Sequence, residues 1–167
     1  MSSTSACNPG IMSLIKKAST QQLKGRIVVG VDGSESSNGP LLWAARQAEL
    51  THASLEVVFV WQAPLMAYGV YTVPTPGGVD PESRAKQTLE ATIHTLLGEP
   101  DGLEMVPIVT RGPVAKTLLR FAKGADLLVV GARSHAPLVG MLVGSVSEHC
   151  MSHAKCPVVV IHHEKAA

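Results

Sequence analysis

Residues 126–145 read Asp126-Leu127-Leu128-Val129-Val130-Gly131-Ala132-Arg133-Ser134-His135-Ala136-Pro137-Leu138-Val139-Gly140-Met141-Leu142-Val143-Gly144-Ser145. The run Asp126–Val130 is almost wholly apolar, with no polar residue alternating through it. That is the pattern of a strand covered on both faces, hence of a central position in a sheet. Gly131 ends the run, a loop follows, and Gly144-Ser145 opens a helix that extends to about His153. Strand, glycine-bearing loop and helix start form the repeating unit of an open α/β sheet.

The same unit recurs outward from this stretch. Ile27–Val31 is a second short apolar run, closed by Asp32-Gly33-Ser34. Ser36, Ser37 or Asn38 is placed to cap a helix that carries Pro40 in its first turn. Leu42, Ala45, Ala48 and Glu49 continue it to about Leu50. A strand follows at Leu55–Trp61. The segment 62–81 then holds Pro64, Pro74, Pro76, Pro81 and three glycines, too interrupted for helix or sheet. A loop of that length usually serves as a lid or contact surface. Glu82–Leu97 sets Ala85, Leu89, Ile93, Leu96 and Leu97 at helical spacing, and Gly98 stops it. Leu103–Val109 reads as a strand whose Pro107 confines it to a sheet edge. Gly112-Pro113 opens a helix with Val114, Leu118, Leu119 and Ala122 on one face, closed by Gly124. A fifth strand lies at Pro157–Ile161. The string β-α-β-α-β-α-β-α-β predicts a parallel doubly wound sheet with helices on both faces, in strand order 3-2-1-4-5. Residues 25–163 form this domain, flanked by a flexible tail at 1–24 and a short one at 164–167.

Composition narrows the function. The 167 residues carry 14 Lys and Arg against 13 Asp and Glu, a net charge of +1 that provides no broad field for nucleic acid or an anionic membrane. Aromatic residues are 4% of the chain, so the core is built of aliphatic side chains. Cys7, Cys150 and Cys156 are too few and too irregular for a disulfide framework, which points to a reducing cytoplasm. The opening 17 residues hold no apolar stretch of signal-peptide length, and no run of 18 apolar residues occurs, so neither secretion nor a membrane span is expected. His149 and His153 stand four apart on a helix, a spacing zinc can use, but the cysteines do not form a knuckle and Cys150 follows a core register. No metal site is expected.

In a sheet of order 3-2-1-4-5, the crevice at which the strand order reverses lies between strands one and four. The sequence concentrates its unusual residues there: Gly30, Val31 and Asp32 at the end of strand one, and Val130, Gly131, Arg133, Ser134, Gly144 and Ser145 after strand four. Gly144-Ser145 presents amides and a hydroxyl at a helix N-terminus, a favourable place for phosphate. Four or five charge-assisted hydrogen bonds of roughly 1.5–3 kcal/mol each suffice for a polyphosphate without a lysine. The G-x-x-x-x-G-K-[ST] loop is absent, so Walker-type hydrolysis is not expected. No acid–base pair or nucleophile elbow replaces it, so at most slow hydrolysis of a bound phosphate is expected.

The spacing Gly131, two residues, Ser134, nine residues, Gly144-Ser145 resembles the G-x2-G-x9-G-[ST] signature of the universal stress protein family, with Ser134 in place of the second glycine. The resemblance runs from Ile27 to Ile161. It implies a cytoplasmic homodimer that holds ATP between strands one and four. Asp32 would then face the adenosine end with Val60 and Trp61, Val130 would lie beside the base, and Gly131, Gly144, Ser145, Val146 and Ser147 would line the ribose and phosphates. AMP or cyclic AMP would satisfy much of the same site, and Mg2+ would enter only through the phosphates. At a positive φ, Ser134 would cost of the order of 1 kcal/mol; at a negative φ it adds a hydroxyl donor. The short apolar fifth strand is an open edge expected to pair with a second copy through 157–162.

Plainer readings stand beside these. Asp32 is also a common turn residue, Gly131 and Gly144 serve equally as packing glycines, Trp61 as a strand-end core residue, and the hydroxyls of Ser145 and Ser147 as helix caps. The alternative function is an interaction module of the same fold that holds no nucleotide. An ATP pyrophosphatase-like enzyme is poorly matched by Asp32–Ser37, and a response-regulator receiver lacks its acidic pair.

Overall fold

The apolar runs assemble as one five-stranded parallel sheet in the order β3-β2-β1-β4-β5, seen in a computed structural model that describes residues 25–62, 80–99, 102–132 and 144–162. The strands are β1 (Arg26–Val31), β2 (Ser54–Trp61), β3 (Met105–Arg111), β4 (Leu127–Gly131) and β5 (Val158–Ile161). The helices α1 (Asn38–Thr51), α2 (Pro81–Leu97), α3 (Val114–Phe121) and α4 (Ser145–His153) alternate with them. The expected tails at 1–24 and 164–167 lie outside the described residues, as do positions 63–79 of the long loop.

Each parallel crossover carries a helix, and the sheet separates the helices in pairs. One core packs α1 and α2 through Leu41, Ala44, Leu89 and Ile93 against Val29, Leu55 and Val57. The other packs α3 and α4 through Leu118, Ala122 and Cys150 against Val28, Val58, Val60, Leu128 and Val130. β1 and β4 are central and buried on both faces, as their unbroken apolar runs require. A fully buried Leu such as Leu41, Leu89 or Leu128 stabilises the fold by about 1.5–3 kcal/mol relative to exposure.

The edges obey the backbone. The Leu55 amide donates to the Glu104 carbonyl at 2.8 Å and the Gly112 amide to the Trp61 carbonyl at 3.1 Å, so even-numbered residues of β3 face β2. Pro107 therefore turns its missing amide to the open edge, where no ladder bond is lost. At the foot of the sheet, the Arg26 guanidinium reaches Glu56 at 2.8 Å and the carbonyls of Phe121 and Lys123 at 2.9 and 2.8 Å, while its amide bonds Asp126 at 2.7 Å. One half-buried cation thus fixes β1, β2 and the turn into β4 together.

Local details depart from the periodic reading. Pro81 begins α2 instead of ending the loop, since Pro at the first helical position loses no needed amide; the Asp80 carboxylate caps it, accepting from the Glu82 amide at 2.9 Å and the Ser83 amide at 3.3 Å. On α1, Leu41 is buried and Leu42 is 45% exposed, one residue out of the expected register. The buried stripe of the helix runs Leu41, Ala44, Ala45 and Ala48. No side chain caps α1; Ser37 instead donates its hydroxyl to the Ser34 carbonyl at 2.7 Å. β3 begins two residues later than its hydrophobicity implies.

Candidate functional site

β1 and β4 are neighbours whose next strands lie on opposite sides, so the loops beyond their carboxyl ends diverge and leave a cleft. Its volume is about 130 Å³, close to the engineered cavity of about 150 Å³ that admits a benzene ring. The floor is apolar: Val58 and Val60 of β2, Val114 and Leu118 of α3, and Val130 of β4. Gly30 allows this floor to form. A Cβ at position 30 would stand 2.8 Å from Leu118 Cδ1, inside van der Waals contact.

One wall is the β1–α1 turn. Val31, Asp32, Ser36 and Ser37 line it, shaped by Gly33 at φ +75°. Gly33 also passes α2 so closely that a Cβ there would lie 2.5 Å from Thr88 Cγ2. The Asp32 carboxylate accepts from the Ser34 amide at 3.0 Å and from the Ser34 hydroxyl at 2.5 Å; the Ser34 and Ser36 hydroxyls are 2.8 Å apart. Asp32 is thus both the turn residue and a member of the cleft wall.

The facing wall is Gly131 with the first turn of α4, Gly144, Ser145, Val146 and Ser147. The N-cap residue of α4 is Gly144, and among the described residues no side chain caps this helix. Its leading amides have no intrahelical acceptor and carry the positive end of the helix dipole. Gly144 sits at φ −76°, ψ 155°, ordinary extended backbone, so a small side chain is tolerated there as far as conformation goes. Its amide donates to the Ala132 carbonyl. Ser147, 2% exposed, donates its hydroxyl back to the Gly131 carbonyl and ties the helix to β4. It does not cap the helix.

Of the residues singled out in the sequence, Gly30, Val31, Asp32, Val60 and Val130 therefore meet Gly131, Gly144, Ser145, Val146 and Ser147 around one cleft. Trp61 is not among the lining residues. Side chains alternate along a strand, and Val58 and Val60 belong to the cleft-side core while Val57 belongs to the other, so Trp61 turns away from the cleft. Its ring lies under the Arg111 guanidinium at 5.6 Å, with Nε1 buried and without a hydrogen-bond partner among the described residues. Arg133 and Ser134 lie outside the described residues. The sequence reading missed Ser36, Ser37, Val58, Val114 and Leu118 as lining residues. Val58 shares the parity of Val60, the one signal that marks it.

Elsewhere, the His149 and His153 rings stack at 4.2 Å. Among the described residues, no three His, Cys, Asp or Glu side chains gather as a metal set, and no helix is long and apolar enough to cross a membrane. Cys150 is wholly buried, and burial pushes its thiol up to about 11.

Comparisons with known proteins agree with this architecture. A model of the universal stress protein family matches residues 24–162. A universal stress protein of Mycolicibacterium smegmatis is 32% identical over 144 residues, 84% of this chain and 49% of that one. One from Mycobacterium tuberculosis is 31% identical over 145 residues, 83% of this chain and 48% of that one. The chain spans about half the length of these curated relatives. Among solved structures, UspA from Lactobacillus plantarum superposes with a TM-score of 0.65 at 23% identity, over 82% of this chain and 97% of that one. A universal stress protein described as a complex with cAMP gives 0.62 at 24% identity, over 83% and 97%. One from Archaeoglobus fulgidus, described as a complex with dAMP, gives 0.58 at 23%, over 83% and 98%. At these identities the structural likeness speaks for the fold.

Proposed function

This chain belongs to the universal stress protein family, and from that premise we propose that its cleft binds an adenine nucleotide, ATP foremost, and that the protein acts as a nucleotide-responsive regulator in the cytoplasm under stress. One observation carries the reading: an aliphatic floor and a helix N-terminus whose cap residue, Gly144, has no side chain share a single cleft at the reversal of strand order. A flat ring lies on Val58, Val60, Leu118 and Val130, where burial favours it by about 25 cal/mol per Å² of apolar surface removed from water. Phosphates meet the amides of Ser145 and Val146, which need an anion or water because nothing in the helix accepts from them. The complexes of similar folds with cAMP and dAMP support an adenine ligand of this class.

Among the described residues the cleft offers no acid–base pair aimed at a phosphate, so binding, with at most slow hydrolysis, is the proposed activity. Mg2+ would be carried by the phosphates of a bound triphosphate. The proposed assembly is a homodimer through β5. The Leu128 amide donates to the Pro157 carbonyl at 3.0 Å and the Ala132 amide to the Ile161 carbonyl at 2.8 Å, so 157, 159 and 161 face β4. Val158 and Val160 then direct their amides and carbonyls to the open edge, available to a second strand.

Mass spectrometry of whatever freshly purified protein releases on denaturation tests the reading, followed by titration with ATP, AMP and cyclic AMP. Recovery of an adenine nucleotide near one per chain supports it. A protein that releases none and shows no affinity up to millimolar is instead an interaction module, with Ser134 the first departure from the family signature to revert to glycine.

A further inference from the structure

The β1–α1 turn contains a hydroxyl chain whose direction is fixed by proton count. Ser34 has one hydroxyl proton and donates it to the Asp32 carboxylate at 2.5 Å. In the 2.8 Å contact between Ser34 and Ser36, the proton must therefore come from Ser36. Ser36, one of the residues that line the cleft, has spent its hydroxyl proton and keeps lone pairs on that oxygen. The Ser34 amide, also donated to Asp32 at 3.0 Å, and the Ser37 hydroxyl, donated to the Ser34 carbonyl, hold the turn so that this polarity does not invert by rotation of one group.

The two walls of the cleft consequently differ in kind. The α4 wall donates through backbone amides, and the Ser36 position accepts. A phosphate oxygen, itself acceptor-only, is unsuited to the Ser36 side. With the ring on the aliphatic floor and the phosphate at α4, the donors left to meet Ser36 are the ribose hydroxyls and the adenine 6-amino group, of which removal of a ribose hydroxyl affects only the first. Resting on the nucleotide reading above, we infer that Ser36, oriented through Ser34 by Asp32, is a specificity residue that accepts a hydrogen bond from a ribose hydroxyl and so favours ribonucleotides over their deoxy counterparts. Ser34 is the positioning residue: it touches no ligand and sets which way Ser36 points its proton.

The test is isothermal titration of wild type, Ser36→Ala and Ser34→Ala with AMP, 2′-deoxy-AMP and 3′-deoxy-AMP. Wild type binds AMP more tightly than at least one deoxy analogue by about two- to tenfold, the span of a neutral hydrogen bond. In Ser36→Ala that ratio falls to about one because AMP weakens while the deoxy analogue does not. Ser34→Ala keeps the oxygen but frees its proton, and narrows the ratio without erasing it. A general loss of structure would weaken all three ligands together, which separates it from loss of one bond. Equal binding of the three ligands by wild type, or an unchanged ratio in Ser36→Ala, overturns the inference while leaving nucleotide binding intact. Failure of wild type to bind AMP at all, with a normal melting transition, removes the nucleotide reading and the inference with it.

Discussion

Gly30→Ala is the sharpest probe of how the cleft floor is built. The new methyl would stand 2.8 Å from Leu118 Cδ1 and 3.0 Å from Cδ2, several tenths of an ångström inside ordinary contact. Both atoms are the free end of a side chain that is 2% exposed and lines the cleft, so the open direction for relief is into the ligand space. Overpacking of this kind costs about 1–3 kcal/mol, and replacing glycine in a strand returns about 0.5–1 kcal/mol. The net loss is then about 0–2.5 kcal/mol, a fall in Tm of up to about 10 °C for a chain of this size. Nucleotide affinity falls by about tenfold if a comparable overpacking energy is felt by the bound ring. Leu118→Ala alone costs about 2–5 kcal/mol through the cavity it leaves, but it also removes the atoms the methyl strikes. Calorimetry on the two single variants and the double variant therefore gives a double-variant loss smaller than the sum by about 1–2 kcal/mol. Strict additivity, within about 0.5 kcal/mol, would refute the contact between Gly30 and Leu118 as the determinant of the floor.

Other perturbations address other parts. Gly144→Glu places a carboxylate where the α4 amides meet phosphate and abolishes nucleotide binding, whereas Gly144→Ala, at a φ of −76° that any residue adopts, leaves the fold intact; equal affinity of Gly144→Glu and wild type in a titration sinks the phosphate site. The Cys150 thiol, raised by burial from 9.0 to about 11, favours the folded state below pH 9, and that contribution is lost as pH rises from about 9 through 11. Wild type should lose more Tm across this window than Cys150→Ala, and parallel curves would show that the thiol stays neutral for another reason. Val160→Pro deletes an outward amide of β5 without touching the β4 ladder, so light scattering at about 10 µM, well above a micromolar dissociation constant, should report a dimer for wild type and a monomer for the variant; a wild-type monomer dismisses the β5 interface.

What the amino-acid order made legible was everything governed by short period and by punctuation. Unbroken runs identified β1 and β4 as central, Pro107 identified an edge, and Gly98 and Gly124 marked helix ends because their positive φ suits no other residue as well. The position of the cleft followed from strand order, and the residues at its rim from their place after β1 and β4. The floor was less legible. Val114 and Leu118 bear the same helical spacing whether they meet a core or a ligand, and nothing in that spacing shows that Leu118 packs against the bare Cα of Gly30. On α1 the buried stripe runs Leu41, Ala44, Ala45 and Ala48 with Leu42 exposed, a choice between two adjacent leucines that both fit the alanine spacing and that only packing decides. Trp61 was assigned to the cleft through resemblance although its parity along β2 opposes Val58 and Val60.

The sheet separating the two cores has a consequence for how this protein is able to diverge. Val58, Val60, Leu118 and Val130 answer to two demands, packing beneath α3 and α4 and, on the reading above, holding a ligand, while Val29, Leu55, Val57, Leu89 and Ile93 answer to packing alone. Volume-conserving exchanges among the second group repack one layer and leave the ligand surface unaltered. A lineage could therefore rework its α1 and α2 exterior, even the helix-to-helix seams beneath it, without disturbing what it recognises, but not the α3 and α4 layer. The two faces of a single small sheet would accumulate change at different rates, one behaving as scaffold and the other as instrument.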